Sequence, residues 1–196
     1  MKTYVDKAIN YKKYVDLLDS LMAEGKTTGP NQSPDYLNYA KLNLARIHRL
    51  NKTATLTEEL KEVLKKVKLP FIFLVLTEGW CGDAAQNIPT LHLIEEECKK
   101  IELKLILRDE NLELMDRYLT NGGRSIPKLI CLEKESLKEV FTWGPRPEAV
   151  QQTVLELKEK QVSLMEKAEI VHKWYSLDKT FSLQKELKEL IEKHLT

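Results

Sequence analysis

The chain predicts an α/β fold, a mixed sheet flanked by helices, with helical extensions at both ends. Three observations carry this expectation. Phe71-Ile72-Phe73-Leu74-Val75-Leu76 is an unbroken apolar run of strand length and strand composition. Downstream of it the patterns read strand, helix, strand, helix, strand, strand, helix, which is an α/β order with a parallel portion and a terminal hairpin. On either side of that stretch the apolar residues recur only at helical spacing. The expected organisation is therefore a helical extension over residues 1–68, an α/β core over 69–159 and a second helical extension over 160–196.

The elements follow in order. Tyr11, Tyr14, Val15, Leu17, Leu18, Leu21 and Met22 mark a first amphipathic helix. Gly25 to Pro34 is a polar loop, and Ser33-Pro34-Asp35 has the form of a helix start with proline at its first position. Leu37, Ala40, Leu44, Ile47 and Leu50 then continue as one apolar face. A third helix is expected from Thr57, whose Glu58 and Glu59 suit an N-terminus, to Val67 before Pro70. In the core we expect a strand over 71–77, a helix from Cys81 to Lys100, a strand over 103–107, a helix over 112–119 and strands over 128–132 and 139–143. Five of the seven glycines fall between residues 79 and 144, all at junctions of these elements. A helix after Pro145-Arg146-Pro147 carries Val150, Val154 and Leu157 on one face. The chain closes on a helix marked by Leu183, Leu187, Leu190, Ile191 and Leu195.

Composition excludes several classes of function. With 31 basic and 30 acidic residues the net charge is +1, so there is no electrostatic case for nucleic acid or for an anionic membrane surface. No apolar run approaches the ~18 residues of a spanning helix, and Met1 to Lys7 contains no apolar signal segment, which leads us to expect a cytoplasmic protein. In that compartment Cys81, Cys98 and Cys131 are expected as free thiols. The four histidines show no metal-ligand spacing, and we expect neither a metal nor a cofactor.

Chemistry concentrates in Glu78-Gly79-Trp80-Cys81-Gly82-Asp83-Ala84, where a buried strand meets a helix. A thiol at that junction faces unpaired backbone N–H groups and the positive end of the helix dipole, which favour the anion. The thiolate is the nucleophile in disulfide exchange, so Cys81 is the candidate catalytic residue, with Trp80 as an apolar shoulder.

These residues resemble the thioredoxin family. Trp80-Cys81-Gly82 stands where that family has Trp-Cys-Gly, Pro89 where its helix-kinking proline lies, and Asp109-Glu110-Asn111 where its Asp-x-Asn ends the second strand. Arg124-Ser125-Ile126-Pro127-Lys128-Leu129 is similar to the family's loop before the third strand, in which the proline is cis. The resemblance covers residues 69–159 and is nearest to a bacterial branch with a helical N-terminal extension and a Trp-Cys-Gly-Asp loop. It implies a thioredoxin-like fold, with Trp80, Gly82, Ile126 and Pro127 as substrate-binding residues that align an extended peptide beside the sulfur. It also implies a protein or a low-molecular-weight thiol or disulfide as partner.

Two departures stand beside it. The family's second, resolving cysteine would be residue 84, which is Ala84. Cys98 lies ~25 Å along the same helix and Cys131 roughly 13 Å into the sheet, both beyond the ~7 Å reach of a disulfide. The family's buried acid six positions before the cysteine is Val75 here. Asp83, two residues after Cys81, is the nearest carboxylate in the sequence. It is either ordinary helix-start electrostatics, a charge that opposes thiolate formation, or a local proton acceptor, hence a second catalytic candidate. Two functional readings follow: a monothiol disulfide oxidoreductase that relies on an external resolving thiol, or a redox-inactive thioredoxin-like module that binds protein.

Overall fold

A computed structural model describes residues 1–196, apart from the side chains of residues 164 and 165. Four strands form one mixed sheet: β1 (Phe71–Thr77), β2 (Ile101–Leu107), β3 (Lys128–Glu133) and β4 (Glu139–Trp143), in the order β2-β1-β3-β4. β1 runs parallel to β2 and antiparallel to β3, and β3–β4 is a hairpin. β1 is central and buried along its whole length, which is why its sequence is an apolar run without alternation.

The helical extensions close the two edges of the sheet. On the β2 side, Ile9 exchanges both backbone hydrogen bonds with Leu105, each 2.8 Å, between α1 (Lys2–Lys7) and α2 (Tyr11–Ala23). On the β4 side, α9 (Phe181–His194) packs against the strand, and Glu186 accepts a 2.7 Å bond from the indole N–H of Trp143. The Ile9–Leu105 bridge occupies backbone groups of β2 that are otherwise open to pairing with another chain. α3 (Pro34–Thr53) and α4 (Glu58–Leu64) complete the N-terminal layer, and α3 makes the broadest helix–helix contact of the molecule, with α5 (Gly82–Glu97).

α5 is the crossover from β1 to β2. Ala84, Ala85, Ile88, Leu91 and Ile94 are buried, and so are Gln86, Asn87 and Thr90. The helix is enclosed on nearly all sides, which explains its weak amphipathic pattern.

The expected elements differ from the observed ones mostly at their C-terminal ends. α4 stops at Leu64 instead of Val67, and α6 (Leu112–Met115) is a single turn instead of reaching residue 119. In both, the backbone tightens into i→i+3 bonds: Lys66 and Val67 bond Val63 and Leu64, and Arg117 and Tyr118 bond Leu114 and Met115. Between α7 (Glu148–Glu159) and α9 the structure contains a further helix, α8 (Leu164–Asp178), whose pattern the sequence reading did not isolate. Ser163 caps it by accepting from Glu166 N–H, and two left-handed residues, Lys179 and Thr180, end it. Among the described residues no helix is long and apolar enough to cross a membrane.

Candidate functional site

The chain leaves β1 at Thr77 and reaches α5 through a loop clamped from three directions. Gly79 N–H donates to Thr28 Oγ1 at 2.8 Å and Gly79 C=O accepts from the Asn43 amide at 3.1 Å. A Cβ on Gly79 would lie 2.7 Å from the Leu18 side chain, so only glycine fits there without a shift. This clamp sets Cys81 as the N-cap of α5, where its sulfur accepts from Ala84 N–H at 3.5 Å. The thiol itself donates to Ile126 C=O at 3.2 Å, and the Ile126–Pro127 peptide bond is cis.

Cys81 is only 8% exposed, and its thiol is pushed up to about 12. Burial is the largest cause and the charge of Asp83 the next; Ala84 N–H and the Arg146 cation pull the other way and lose. The sequence-based expectation that the helix terminus favours the thiolate is therefore corrected. In this arrangement desolvation outweighs the helix end, and the proton stays on sulfur.

Asp83 sits in a buried network. Arg146 grips its Oδ2 with two donors, Nε at 3.0 Å and Nη2 at 2.5 Å, while Tyr175 O–H donates to Oδ1 at 2.8 Å. Asn87, one turn along α5, donates its amide to both Asp83 C=O (2.8 Å) and the Tyr175 oxygen (3.1 Å). Tyr175 is held well above the ordinary phenol range, by burial first and by Asp83 second. Both carboxylate oxygens are thus occupied. The network ties the first turn of α5 to the loop before α7 and to α8.

α8 consequently forms one wall of the cleft that Cys81 lines. His172 packs so closely on Gly82 that a Cβ there would meet the imidazole Cε1 at 2.9 Å. Burial, with Arg46 adding to it, pushes His172 down to about 4, so its ring is neutral at pH 7. Across the site Trp80 tilts against Tyr36 at 5.2 Å and carries the Arg108 guanidinium 4.7 Å above its ring. These walls enclose a cleft of about 500 Å³ bounded by α3, the 124–126 loop, α7 and α8.

A thioredoxin family model matches residues 29–163, more than half of the chain. The chain belongs to the thioredoxin family. The match stops just before α8, so the helix that forms this wall lies outside the matched stretch. Two solved structures share the fold over nearly the whole length. A protein of unknown function from Pseudomonas aeruginosa is 17% identical with a TM-score of 0.57, covering 94% of this chain and 98% of its own. An HIV epitope-scaffold is 18% identical with a TM-score of 0.54 and the same coverage, 94% and 98%. No curated protein matches.

Against the family pattern, Trp80, Cys81, Gly82, Asp83 and Ile126 all reach one cleft. Pro127 is buried behind it, its carbonyl pressed by Gly144: a Cβ at that positive-φ glycine would stand 2.3 Å from Pro127 O. Cys98 and Cys131 are buried in other parts of the core. His92 stacks on Tyr11 at 4.1 Å and bonds Glu95. Among the described residues no group of acidic, histidine or cysteine side chains could hold a metal ion.

Sequence reasoning missed four side chains of the site: Asn43, Asn87, His172 and Tyr175. It noted Arg146 without connecting it to Asp83. It named Glu78 in the motif without giving it a role: this buried carboxyl is raised by desolvation, and its Oε1 accepts from Asp109 N–H at 2.8 Å while Oε2 has no partner among the described residues. Only Glu78 left a local signal, an acid placed directly after an apolar strand and before Gly-Trp-Cys.

Proposed function

We propose that the protein is a monothiol disulfide oxidoreductase acting through Cys81 with an external resolving thiol. The observation that carries the reading is a sulfur that lines a cleft at the end of a helix while Ala84 occupies the place of a second sulfur. Cys81 gives up its proton to solvent and attacks one sulfur of a disulfide R–S–S–R, forming Cys81–S–S–R and releasing R–S⁻, which takes up a proton. A second thiol R′–SH then attacks the mixed disulfide, releases Cys81 as the free thiol and leaves as R–S–S–R′, so the disulfide is the oxidant and the external thiol the reductant.

Each neighbour has a part. Trp80 is the apolar wall, Gly82 permits close approach, and the Ile126–Pro127 turn supplies the carbonyl that orients the thiol. Asp83 is a positioning residue, since its oxygens are engaged by Arg146 and Tyr175. With burial pushing the thiol up to about 12, the thiolate is disfavoured at pH 7. Exchange therefore begins with loss of the thiol proton to solvent in the cleft that Cys81 lines. We assign the reaction to the reducing cytoplasm, where three free cysteines are at home.

The test is mass spectrometry of the reduced protein after treatment with an oxidised small thiol. One adduct at Cys81, reversed by excess reduced thiol, is expected. Adducts on Cys98 or Cys131 alone, or none, end this reading.

The deep burial of the thiol favours a second reading, a thioredoxin-like binding module without a redox cycle. The two separate on a Cys81→Ser pull-down. A binding module keeps its protein partners, whereas an exchange enzyme loses covalent capture.

A further inference from the structure

The cleft over Cys81 is cationic. Four of its charged lining residues are basic, Arg108, Arg124, Arg146 and Lys167, and one, Asp83, is acidic. Three of the four are matched: Arg108 by Asp109 at 2.6 Å, Arg124 by Asp116 at 2.6 Å, and Arg146 by Asp83. Lys167, on the half-buried face of α8, forms no ion pair among the described residues.

A second unmatched cation stands behind the wall. Arg46 is partly buried, and its one side-chain bond is from Nη1 to Asn43 Oδ1 at 2.7 Å. Its charge is near enough to depress His172 of α8. A guanidinium without a carboxylate partner among the described residues adds positive charge behind this wall. Arg46 does not itself line the cleft; it stands behind Asn43 and His172, which do.

Shape narrows the ligand further. About 500 Å³ lies within the range of small-molecule sites, roughly 300–1,000 Å³. His172 of α8 crowds Gly82, and the Ile126 carbonyl accepts the Cys81 thiol, so both flanks of the sulfur are narrow. The site therefore has a sulfur at its floor, a neutral imidazole above, and excess positive charge at its rim.

We infer that the substrate of Cys81 is a small disulfide bearing a carboxylate or similar anion, held by Lys167 in the wall of the cleft. The inference rests on the exchange reading above, and names the R group of R–S–S–R. The electron accounting is unchanged: the anionic disulfide gives one half to Cys81 and leaves as one anionic thiol.

Three symmetric disulfides test it: 3,3′-dithiodipropionate (anionic), 2-hydroxyethyl disulfide (neutral) and cystamine (cationic). The rate of adduct formation at Cys81 is measured for each and divided by that disulfide's rate with free 2-mercaptoethanol, which removes intrinsic reactivity. The anionic compound is expected to exceed the cationic one by about tenfold or more, with the ratio shrinking as salt is raised. Lys167→Glu should cut that ratio at least about threefold, while Lys173→Glu, an exposed lysine on the same helix outside the cleft, should not. A normalised ratio near one, or the same ratio in Lys167→Glu, overturns the anion assignment and leaves the exchange reading standing. If no disulfide of any charge adds to Cys81, both fall together.

Discussion

Tyr175 donates its phenol proton to Asp83 across 2.8 Å, joining a helix near the C-terminus to the residue two places after the cysteine. Because Asp83 is also gripped by Arg146, α8 and the 143–147 loop converge on a single carboxylate at the start of α5. The accessibility of Cys81 is thereby coupled to residues more than sixty positions away in sequence.

Tyr175→Phe removes that tie and little volume. It strands Asp83 Oδ1 and one Asn87 N–H in a buried setting, at a cost of about 1–3 kcal/mol. Much of that loss falls on the closed position of α8. We expect a lower melting temperature together with faster alkylation of Cys81 by iodoacetamide, measured at fixed pH. Slower or unchanged alkylation in a folded variant contradicts a shielding role for α8.

The contrast between what was legible and what was not follows from the range of the interactions. β1 is given by Phe71–Leu76 alone, because a fully buried central strand needs no partner information to be recognised. The Trp80-Cys81-Gly82 and Ile126-Pro127 segments were legible as resemblances, and the fold brings Trp80, Cys81, Gly82 and Ile126 to one cleft. α8 was not legible: Leu164–Asp178 buries few side chains against the core and has no clean apolar stripe. Its two contributions, His172 over Gly82 and Tyr175 on Asp83, span about ninety residues, and no local pattern encodes such a pairing. The raised thiol pKa was legible only in its lesser cause, the opposing charge of Asp83, because the burial that leads it depends on packing that no local pattern encodes.

The buried thiol also makes a prediction about stability and pH. Below the ordinary thiol value of ~8.5, the folded and unfolded states both hold the proton and Cys81 contributes no slope. Above it the unfolded chain releases the proton while the folded chain, at about 12, retains it, so unfolding gains and stability falls as pH rises. Each such group contributes at most about 1.4 kcal/mol per pH unit. Denaturant melts at pH 8, 9 and 10 should show a steeper decline for the parent protein than for Cys81→Ala. Equal slopes mean that the thiol titrates near its ordinary value and is less buried in solution.

Gly82→Ala separates α8 from the helix it packs against. Alanine is the better helix former by about 1 kcal/mol, so α5 itself gains. The new Cβ, however, meets His172 at 2.9 Å, and the imidazole has to shift with α8. The expected result is a melting temperature close to the parent's with clearly faster Cys81 alkylation. A slower-reacting, more stable variant would falsify the close packing of His172 on Gly82.

Restoring the missing sulfur tests the single-cysteine chemistry most directly. Ala84 stands three residues after Cys81 on the first turn of α5, and its N–H reaches the Cys81 sulfur at 3.5 Å. Residues with that spacing on a helical turn have Cα atoms about 5–6 Å apart, inside the window for a disulfide. Ala84 is 1% exposed, so the added sulfur fills tightly packed space at a cost of about 1–3 kcal/mol. With Ala84→Cys, the mixed disulfide at Cys81 should be attacked from within the same turn. The small-thiol adduct should then give way to an internal bridge between Cys81 and the introduced sulfur without added reductant, read as loss of the adduct mass. An adduct that persists as long as in the parent means that the two sulfurs do not meet, and that Cys81 is held in place by its bond to Ile126 more firmly than the helix geometry implies.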